Sequence, residues 1–416
     1  MTAIVCALNK QAVAIAADSA VTIGNTHKVL NSGNKIFRMS KYAPIGVAIY
    51  GTATYMGTPW EIIIKQYRKQ INNTKYQEFK DYVNDFLNYI RYNDSFASDT
   101  IQKQFLREQL ELFISSKITL SKRNSIFSSN QSRAFVCEIQ NCLNSKSPSK
   151  IFNEDFKTYP CEEFAKDYNN LVREVIDGKA LVITEEEFKT VVEAFYYWLI
   201  APVNRYGETG LVFFGYGENE LYPSMKDVKV CIGFKKRLVY QYGESVQISN
   251  EGTFASITPF AQPDVAHTII RGVNPAFYEL LSKSFSESVS GFKKVIADEM
   301  RKNSLLVDTA KVIENLDISN VTDSFVSSMQ TEMRKLYTQP LVNTIGSLGV
   351  EDLANMVQSF VSLTSLVRRM SPAEETVGGP VDVAVISKGD GFIWIKRKLY
   401  FDSKINTHFF DNYYND

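Results

Sequence analysis

Histidine and cysteine are scarce in this chain of 416 residues, which contains three of the former and five of the latter. No two cysteines have the Cys-x-x-Cys spacing, so the sequence lacks the clustered ligands of a zinc site. The cysteines are odd in number and scattered, as is typical of reduced thiols. Three isolated histidines without a nucleophile-elbow pattern do not favour a Ser-His-Asp triad. We expect no metal and no cofactor.

Net charge and long apolar runs are also lacking. Lys and Arg total 46, and Asp and Glu total 46, so no overall field attracts nucleic acid or an anionic membrane surface. No apolar run reaches the roughly eighteen residues that span a bilayer. The first residues lack the basic and apolar regions of an export signal. These absences predict a cytoplasmic protein with no nucleic-acid partner and no membrane partner.

The chain does begin with strongly apolar segments. Residues 3–7 and 12–17 flank a short turn and predict a β-hairpin, and residues 35–39 and 45–50 predict a second one. The apolar residues run continuously rather than alternating with polar ones. This pattern is typical of sheets that are covered on both faces.

The pattern then changes to helical spacing, and later back to strands. Predicted helices lie within 59–113 and at 162–176, 185–199, 274–300, 319–336 and 350–369, and predicted strands at 211–214, 226–234, 237–242, 381–386 and 392–396. A polar segment at about 121–150 is predicted as a loop. The order of strands, helices, strands, helices and strands fits an α+β fold with two antiparallel sheets between helical layers.

Thr2 directly follows Met1 and is the candidate nucleophile. If Met1 is removed, Thr2 carries both a hydroxyl and a free α-amine, so one residue holds a nucleophile and a base. A free α-amine titrates near about 8, which suits a base at neutral pH.

Five short motifs occur in order along the chain. They are Thr-x-Ile-Val at 2–5, Ile-Ala-Ala-Asp-Ser at 15–19, Asn-Lys-Ile at 34–36, Val-Ala-Ile-Tyr-Gly-Thr-Ala at 47–53 and Gly-Gly-Pro-Val-Asp-Val-Ala-Val-Ile at 378–386. Together they resemble the proteasome β-type subunits and bacterial proteasome-like peptidases of the N-terminal-nucleophile hydrolase superfamily. The resemblance implies a four-layer αββα sandwich, with residues 1–74 and 201–416 forming the core and residues 75–200 a helical insertion.

The resemblance also implies roles for named residues. Thr2 would be the nucleophile, and Lys35 would favour deprotonation of its hydroxyl. Asp18 would pair with Lys35, because a buried cation needs a counter-charge. A backbone N–H of Tyr50 or Gly51 would supply the oxyanion donor. Taken singly, Asp18 also fits an ordinary turn residue and Lys35 an ordinary surface lysine.

Two further positions are implied as supporting residues, Ser19 and Glu374. The family has an acid and a serine just before its C-terminal glycine pair, whereas this chain has Glu374 and Val377 there. The side chain of Val377 neither donates nor accepts a hydrogen bond. Ser371 or Thr376 would have to take the place of the missing serine. Tyr50 is also larger than the residue that the family has at its position, and would crowd the pocket.

The resemblance therefore implies a threonine-type peptidase or amidohydrolase that cleaves amide bonds in a peptide or protein substrate. The implied partners are further copies of the chain in a homo-oligomer and an ATPase or regulatory protein. Two alternatives stay open. One is a non-catalytic, proteasome-like structural or regulatory subunit, and the other is an enzyme of the same superfamily that acts on a small amide or transfers an acyl group.

Overall fold

The computed structural model describes residues 2–23, 28–124, 131–145, 154–201, 207–371, 377–402, 404–408 and 410. The strands are β1 Ile4–Asn9, β2 Ala12–Ala17, β3 Val21–Ile23, β4 Lys28–Leu30, β5 Ile36–Arg38, β6 Ile45–Gly51, β7 Thr54–Tyr55, β8 Thr58–Pro59, β9 Thr209–Gly215, β10 Ser224–Phe234, β11 Arg237–Gln247, β12 Ala255–Phe260, β13 Asp382–Ser387 and β14 Gly391–Lys396. The α-helices are α1 Trp60–Ile71, α2 Phe79–Tyr92, α3 Asp99–Asn124, α4 Gln131–Ser145, α5 Cys161–Gly178, α6 Glu185–Ile200, α7 Asp264–Arg271, α8 Pro275–Arg301, α9 Val307–Glu314, α10 Ser319–Met333, α11 Gln339–Ser347 and α12 Val350–Met370.

These elements divide between two compact units. The first unit comprises Met1–Ile36, Leu221–Ser224 and Val246–Asp416, and the second comprises Phe37–Glu220 and Met225–Ser245. The two units are defined by which residues contact one another, whereas the predicted segments 1–74, 75–200 and 201–416 are defined by sequence pattern and resemblance. That division by sequence stays a prediction.

The first unit contains an antiparallel sheet with the strand order β12-β1-β2-β13-β14. The predicted N-terminal hairpin is confirmed as β1 and β2, paired so that Ile4 faces Ala17. Asn9 closes the turn, because its side-chain oxygen accepts the backbone N–H groups of Gln11 and Ala12. Every residue of the two strands is buried, as expected from their continuous apolar sequence.

Helix α12 packs on this sheet. Its buried side chains recur at helical spacing and are Leu353, Ala354, Val357, Phe360, Val361 and Thr364. The same hydrophobic core contains the short strand residues Ala3, Ala7, Ala12, Ala14 and Ala16. Alanine projects little from the sheet, so bulkier helix residues fill the space between the two layers.

The second unit contains the sheet β11-β10-β9-β6-β5. Its strands confirm the predicted second hairpin, β5 and β6, and the predicted central strands β9, β10 and β11. Helices contact this sheet through aromatic side chains. Phe86 of α2 lies with its ring centroid 5.6 Å from that of Phe213 in β9, and Phe164 of α5 lies 6.3 Å from Phe234 in β10. Both distances are in the range of favourable aromatic pairs.

The predicted polar loop at about 121–150 is wrong in part. Helix α3 extends to Asn124, and α4 occupies Gln131–Ser145 within this segment. Its residues Phe135, Val136 and Ile139 are buried. Their spacing places them on one helix face, and this face outweighs the many Ser and Asn residues around it.

The structure confirms the predicted α+β class, with two antiparallel five-stranded sheets and helices packed on each. Within the described residues, no helix has the length and apolar character needed to cross a membrane.

Candidate active site

The hairpin geometry places the residues after Thr2 beside Asp18. Thr2 precedes β1 and is buried, and Asp18 follows β2. Because the strands are antiparallel, the start of β1 lies next to the end of β2. The Asp18 N–H donates to the Ala3 carbonyl at 3.1 Å, and the Ala3 N–H donates to Asp18 Oδ1 at 2.9 Å. Asp18 is thus bonded to the peptide that links Thr2 to Ala3.

The Asp18 carboxylate is fully buried and accepts four hydrogen bonds. Oδ1 accepts the Lys35 ammonium at 2.7 Å as well as the Ala3 N–H. Oδ2 accepts the N–H groups of Ala20 and Gly378, both at 3.1 Å. An ionised carboxylate has about four acceptor positions, and a buried charge is costly unless it is paired and hydrogen-bonded. Asp18 meets both conditions.

Lys35 reaches Asp18 because the chain before it approaches the end of the hairpin closely. The Gly33 N–H donates to the Ser19 carbonyl at 3.0 Å. A Cβ atom at Gly33 would lie 2.3 Å from Val21 Cγ2, so a larger residue would push the two segments apart. The absence of a side chain at Gly33 therefore helps to set the position of the lysine two residues later.

The Lys35 side chain is 5% exposed, and its environment changes its acidity. Burial lowers the pKa of the ammonium below its usual value, and the Asp18 carboxylate opposes that shift. Lys398 lowers the pKa of Lys35 further, whereas Asp382 raises it. The structure therefore brings together Asp18 and Lys35 as predicted, with the lysine charge held next to the Thr2–Ala3 peptide.

Ser19 binds the C-terminal segment rather than Lys35 in the described contacts. Its N–H donates to the Gly378 carbonyl at 3.1 Å, and its hydroxyl donates to the Pro380 carbonyl. Val377 and Gly378 are buried beside it. These bonds hold the segment whose Gly378 N–H binds Asp18, and the supporting role of Ser19 stays a prediction.

Three other positions were named from the sequence as supporting residues or substitutes for them. Glu374 and Thr376 lie outside the described residues. The Ser371 hydroxyl donates to the Arg368 carbonyl at the end of α12.

The predicted oxyanion residues Tyr50 and Gly51 belong to the second unit, at the end of β6. Gly51 pairs with Thr209 in β9. The Tyr50 hydroxyl donates to the Asp227 carboxylate, at 3.0 Å from Oδ2 and 3.1 Å from Oδ1. The role of their backbone N–H groups stays a prediction, and so does the crowding expected of Tyr50.

Asp227 is a buried carboxylate that the sequence analysis missed. Burial raises its pKa to about 6, while the hydrogen bond from Tyr50 and the charge of Lys229 act in the opposite direction. Burial and the Asp227 charge together raise the pKa of the Tyr50 hydroxyl. An aspartate inside a predicted apolar strand was the available signal, because a charged residue is rarely buried without a specific partner.

The Gly378 N–H and the ion pair of Lys398 with Asp382 were also not predicted from the sequence. Gly378 was noted as part of a motif, but a backbone donor has no side-chain signature. Asp382 begins an apolar strand, and its charge in that place was the signal available. Across the described part of the chain, no group of three or more His, Cys, Asp and Glu residues is arranged to hold a metal ion.

Comparison with known proteins gives little. No family model matches the chain, and no curated protein matches it. Two solved structures are similar to it at 8% sequence identity and a TM-score of 0.27 each. One is Anbu (ancestral beta-subunit) from Yersinia bercovieri, over 100% of this chain and 96% of that chain, and the other is an Anbu (Gly-1) mutant from Hyphomicrobium sp. strain MC1, over 100% and 92%.

These findings correct the family assignment. The assignment to the proteasome β-type or bacterial proteasome-like peptidase family is wrong. No family model matches the chain, and the solved structures named above are Anbu proteins with a TM-score of only 0.27. A TM-score of 0.27 carries no argument about fold or function. Conclusions about chemistry therefore depend on the geometry of the site.

Proposed function

We propose that this protein is an amide hydrolase whose nucleophile is the Thr2 hydroxyl, freed for catalysis by removal of Met1. One observation carries the proposal: Asp18 Oδ1 accepts both the Lys35 ammonium and the N–H of the Thr2–Ala3 peptide. This single oxygen ties a buried cation to the backbone of the nucleophile. An ordinary surface lysine or turn aspartate would not be buried in this way.

The proposed chemistry follows from the residue types. The Thr2 hydroxyl attacks the substrate carbonyl, and its own α-amine accepts the proton. The α-amine then gives this proton to the leaving amine as the C–N bond breaks, and water hydrolyses the resulting Thr2 ester to release the acid and restore the hydroxyl. The positive charge of Lys35 favours the developing alkoxide, and Asp18 fixes that charge in place. A retained Met1 would convert the α-amine into an amide and remove the base. A backbone N–H of Tyr50 or Gly51 as oxyanion donor belongs to the proposal.

A peptide or protein is the proposed substrate, and a small amide stays the alternative, because each offers the amide carbonyl that the reaction requires. Assembly into a homo-oligomer, an ATPase or regulatory partner and a cytoplasmic location remain expectations from the sequence.

The test combines intact mass with labelling. The purified protein is expected to lack Met1, and a peptide-based electrophile is expected to add once, at Thr2. Thr2→Ala should abolish both labelling and amide cleavage, whereas Thr2→Ser should keep part of each because it retains a hydroxyl and an α-amine. Thr344→Ala is the matched control, because the exposed Thr344 hydroxyl bonds only its own helix carbonyl at Pro340 among the described residues.

The outcome that contradicts the proposal is a Met-free protein in which Thr2→Ala cleaves and labels as the wild type does. A wild type that keeps Met1 and neither cleaves nor labels would favour the non-catalytic alternative.

A further inference from the structure

A second buried ion pair lies beside the first. The Lys398 ammonium donates to Asp382 Oδ2, and the Lys398 backbone N–H donates to Asp382 Oδ1 at 2.8 Å. The side chains are 12% and 5% exposed. One lysine therefore occupies both oxygens of the carboxylate, through its side chain and its backbone, and Asp382 is held in one orientation.

The register of the sheet places this pair next to the candidate site. Asp382 begins β13 and faces Ala17 in β2, and Ala17 directly precedes Asp18. The Gly378 N–H, four residues before Asp382, donates to Asp18. The two carboxylates thus lie at the same end of neighbouring strands. Asp382 raises the pKa of the Lys35 ammonium, and Lys398 lowers it.

An ion pair of this kind is by itself weak evidence of a stabilising role. Removing two charges from water is expensive, and well-packed apolar residues of similar volume are often as stabilising as a buried ion pair. The proposed chemistry of Thr2 makes no direct use of Asp382 or Lys398. Their location therefore points to an effect on the neighbouring charges.

We propose that Asp382 and Lys398 are positioning residues that set the electric field around Lys35 and so control how strongly its ammonium acts on Thr2. This inference rests on the proposed function. Lys398 brings a positive charge that opposes the protonated form of Lys35, and Asp382 brings a negative charge that favours it. The Asp18 carboxylate also favours the protonated form of Lys35.

The two residues have opposite effects, and this gives a sharp test. Lys398→Met is expected to raise the pKa of Lys35, because a repelling cation is lost and Asp382 is left without its partner. Asp382→Asn is expected to lower it, because an attracting anion is lost. Each shift should be roughly half a pH unit or more, the size that a neighbouring unit charge produces even at a high effective dielectric.

The direct measurement is a titration of Lys35 by NMR in protein labelled with ¹³Cε-lysine, with the signal assigned by Lys35→Arg. In the active enzyme, the alkaline limb of kcat/KM should move in the same direction as the pKa of Lys35 in each variant. The double variant Asp382→Asn with Lys398→Met removes both charges, so the pKa of Lys35 should return towards its wild-type value. Asp382→Glu, which keeps the charge, should stay close to the wild type.

Lys117→Met is the matched control, because Lys117 is also 12% exposed and also faces a carboxylate, Glu138, at 3.8 Å in the second unit. It should leave the titration of Lys35 unchanged. The inference is overturned if Lys398→Met and Asp382→Asn shift Lys35 in the same direction or not at all. If the single variants do not fold, the double variant provides the test. A Lys35 pKa in the folded double variant that differs from the wild-type value by one pH unit or more overturns the inference.

The two proposals fail separately. The NMR titration reports on Lys35 whether or not the protein cleaves amides. Unchanged activity in Thr2→Ala would end the proposed function, whereas an unmoved Lys35 signal in both single variants would end this inference.

Discussion

Two buried aspartates show how differently the two units accommodate a negative charge. Asp18 in the first unit binds one ammonium and three backbone N–H groups. Asp227 in the second unit is bonded by the Tyr50 hydroxyl, and burial raises its pKa to about 6. A cation and fixed N–H donors compensate the buried charge of Asp18, whereas the burial of Asp227 outweighs the hydrogen bond from Tyr50 and favours the protonated carboxyl. The first arrangement suits a fixed electrostatic anchor, and the second gives a carboxyl that takes up a proton more readily than an exposed aspartate.

The largest difference between the two aspartates should appear when Asp18 is removed. Asp18→Ala leaves the buried Lys35 ammonium without its counter-charge, and breaking a buried pair in this way costs about 3–5 kcal/mol. The free energy of unfolding, measured by urea denaturation at pH 7, should fall by that amount. The control Glu61→Ala breaks an exposed pair with Lys65 and should cost no more than about 1 kcal/mol. Equal losses in the two variants would mean that the Asp18 pair is not buried as described.

The second prediction concerns the pH dependence of Asp227. Its pKa in the folded state, about 6, lies above the value of about 4 of an unfolded aspartate. The folded state therefore holds the proton longer, so this group makes the free energy of unfolding fall as pH rises from about 4 to about 6. The loss amounts to at most about 3 kcal/mol, from about 1.4 kcal/mol per pH unit.

Asp227→Asn should remove that loss, because the amide stays neutral and still accepts the Tyr50 hydroxyl. The variant should gain stability relative to the wild type as pH rises from 4 to 6, in urea unfolding at several pH values. Glu61→Gln, at an exposed site, is the control and should show little relative change. A constant difference between wild type and Asp227→Asn across this range would contradict the prediction.

The smallest expected effect concerns two glycines, one beside the segment that leads to Lys35 and one beside Asp227. Gly33→Ala should push Val21 away from the segment that precedes Lys35. Gly243→Ala should press on Asp227, because the new Cβ atom would lie 2.2 Å from Asp227 Oδ2. Each should cost about 1–3 kcal/mol, the usual range for overpacking. Gly389→Ala has no atom within 4 Å of its Cβ and is the control. Denaturation that shows all three variants alike would refute the close approach.

Local patterns in the sequence predicted much of the fold. The continuous apolar residues of β1 and β2 predicted a covered hairpin, and the hairpin placed Asp18 beside the start of the chain. The sequence did not predict β12, because Pro259 lies within it. That proline is tolerated because β12 is an edge strand, with β1 as its neighbour. Helix α4 was not predicted because the many polar residues around it obscure the helical spacing of its three buried residues.

The candidate site was predicted in its side chains but not in its backbone. Asp18 and Lys35 came from short motifs that resemble a known family, and the structure brings the two together. The Gly378 N–H lies 360 positions from Asp18 in sequence, and no local pattern indicates such a pairing. The same holds for the effect of Asp382 and Lys398 on Lys35, which depends on strand neighbours that only the sheet order reveals.

The pairing of β2 with β13 joins segments that lie far apart in the sequence. Asp18 directly follows β2, and the Gly378 N–H that it accepts lies 360 positions later. The carboxylate therefore gains this hydrogen bond only after two distant segments have met. Contacts of such long sequence separation form slowly, so complete coordination of Asp18 is expected to be a late event in folding.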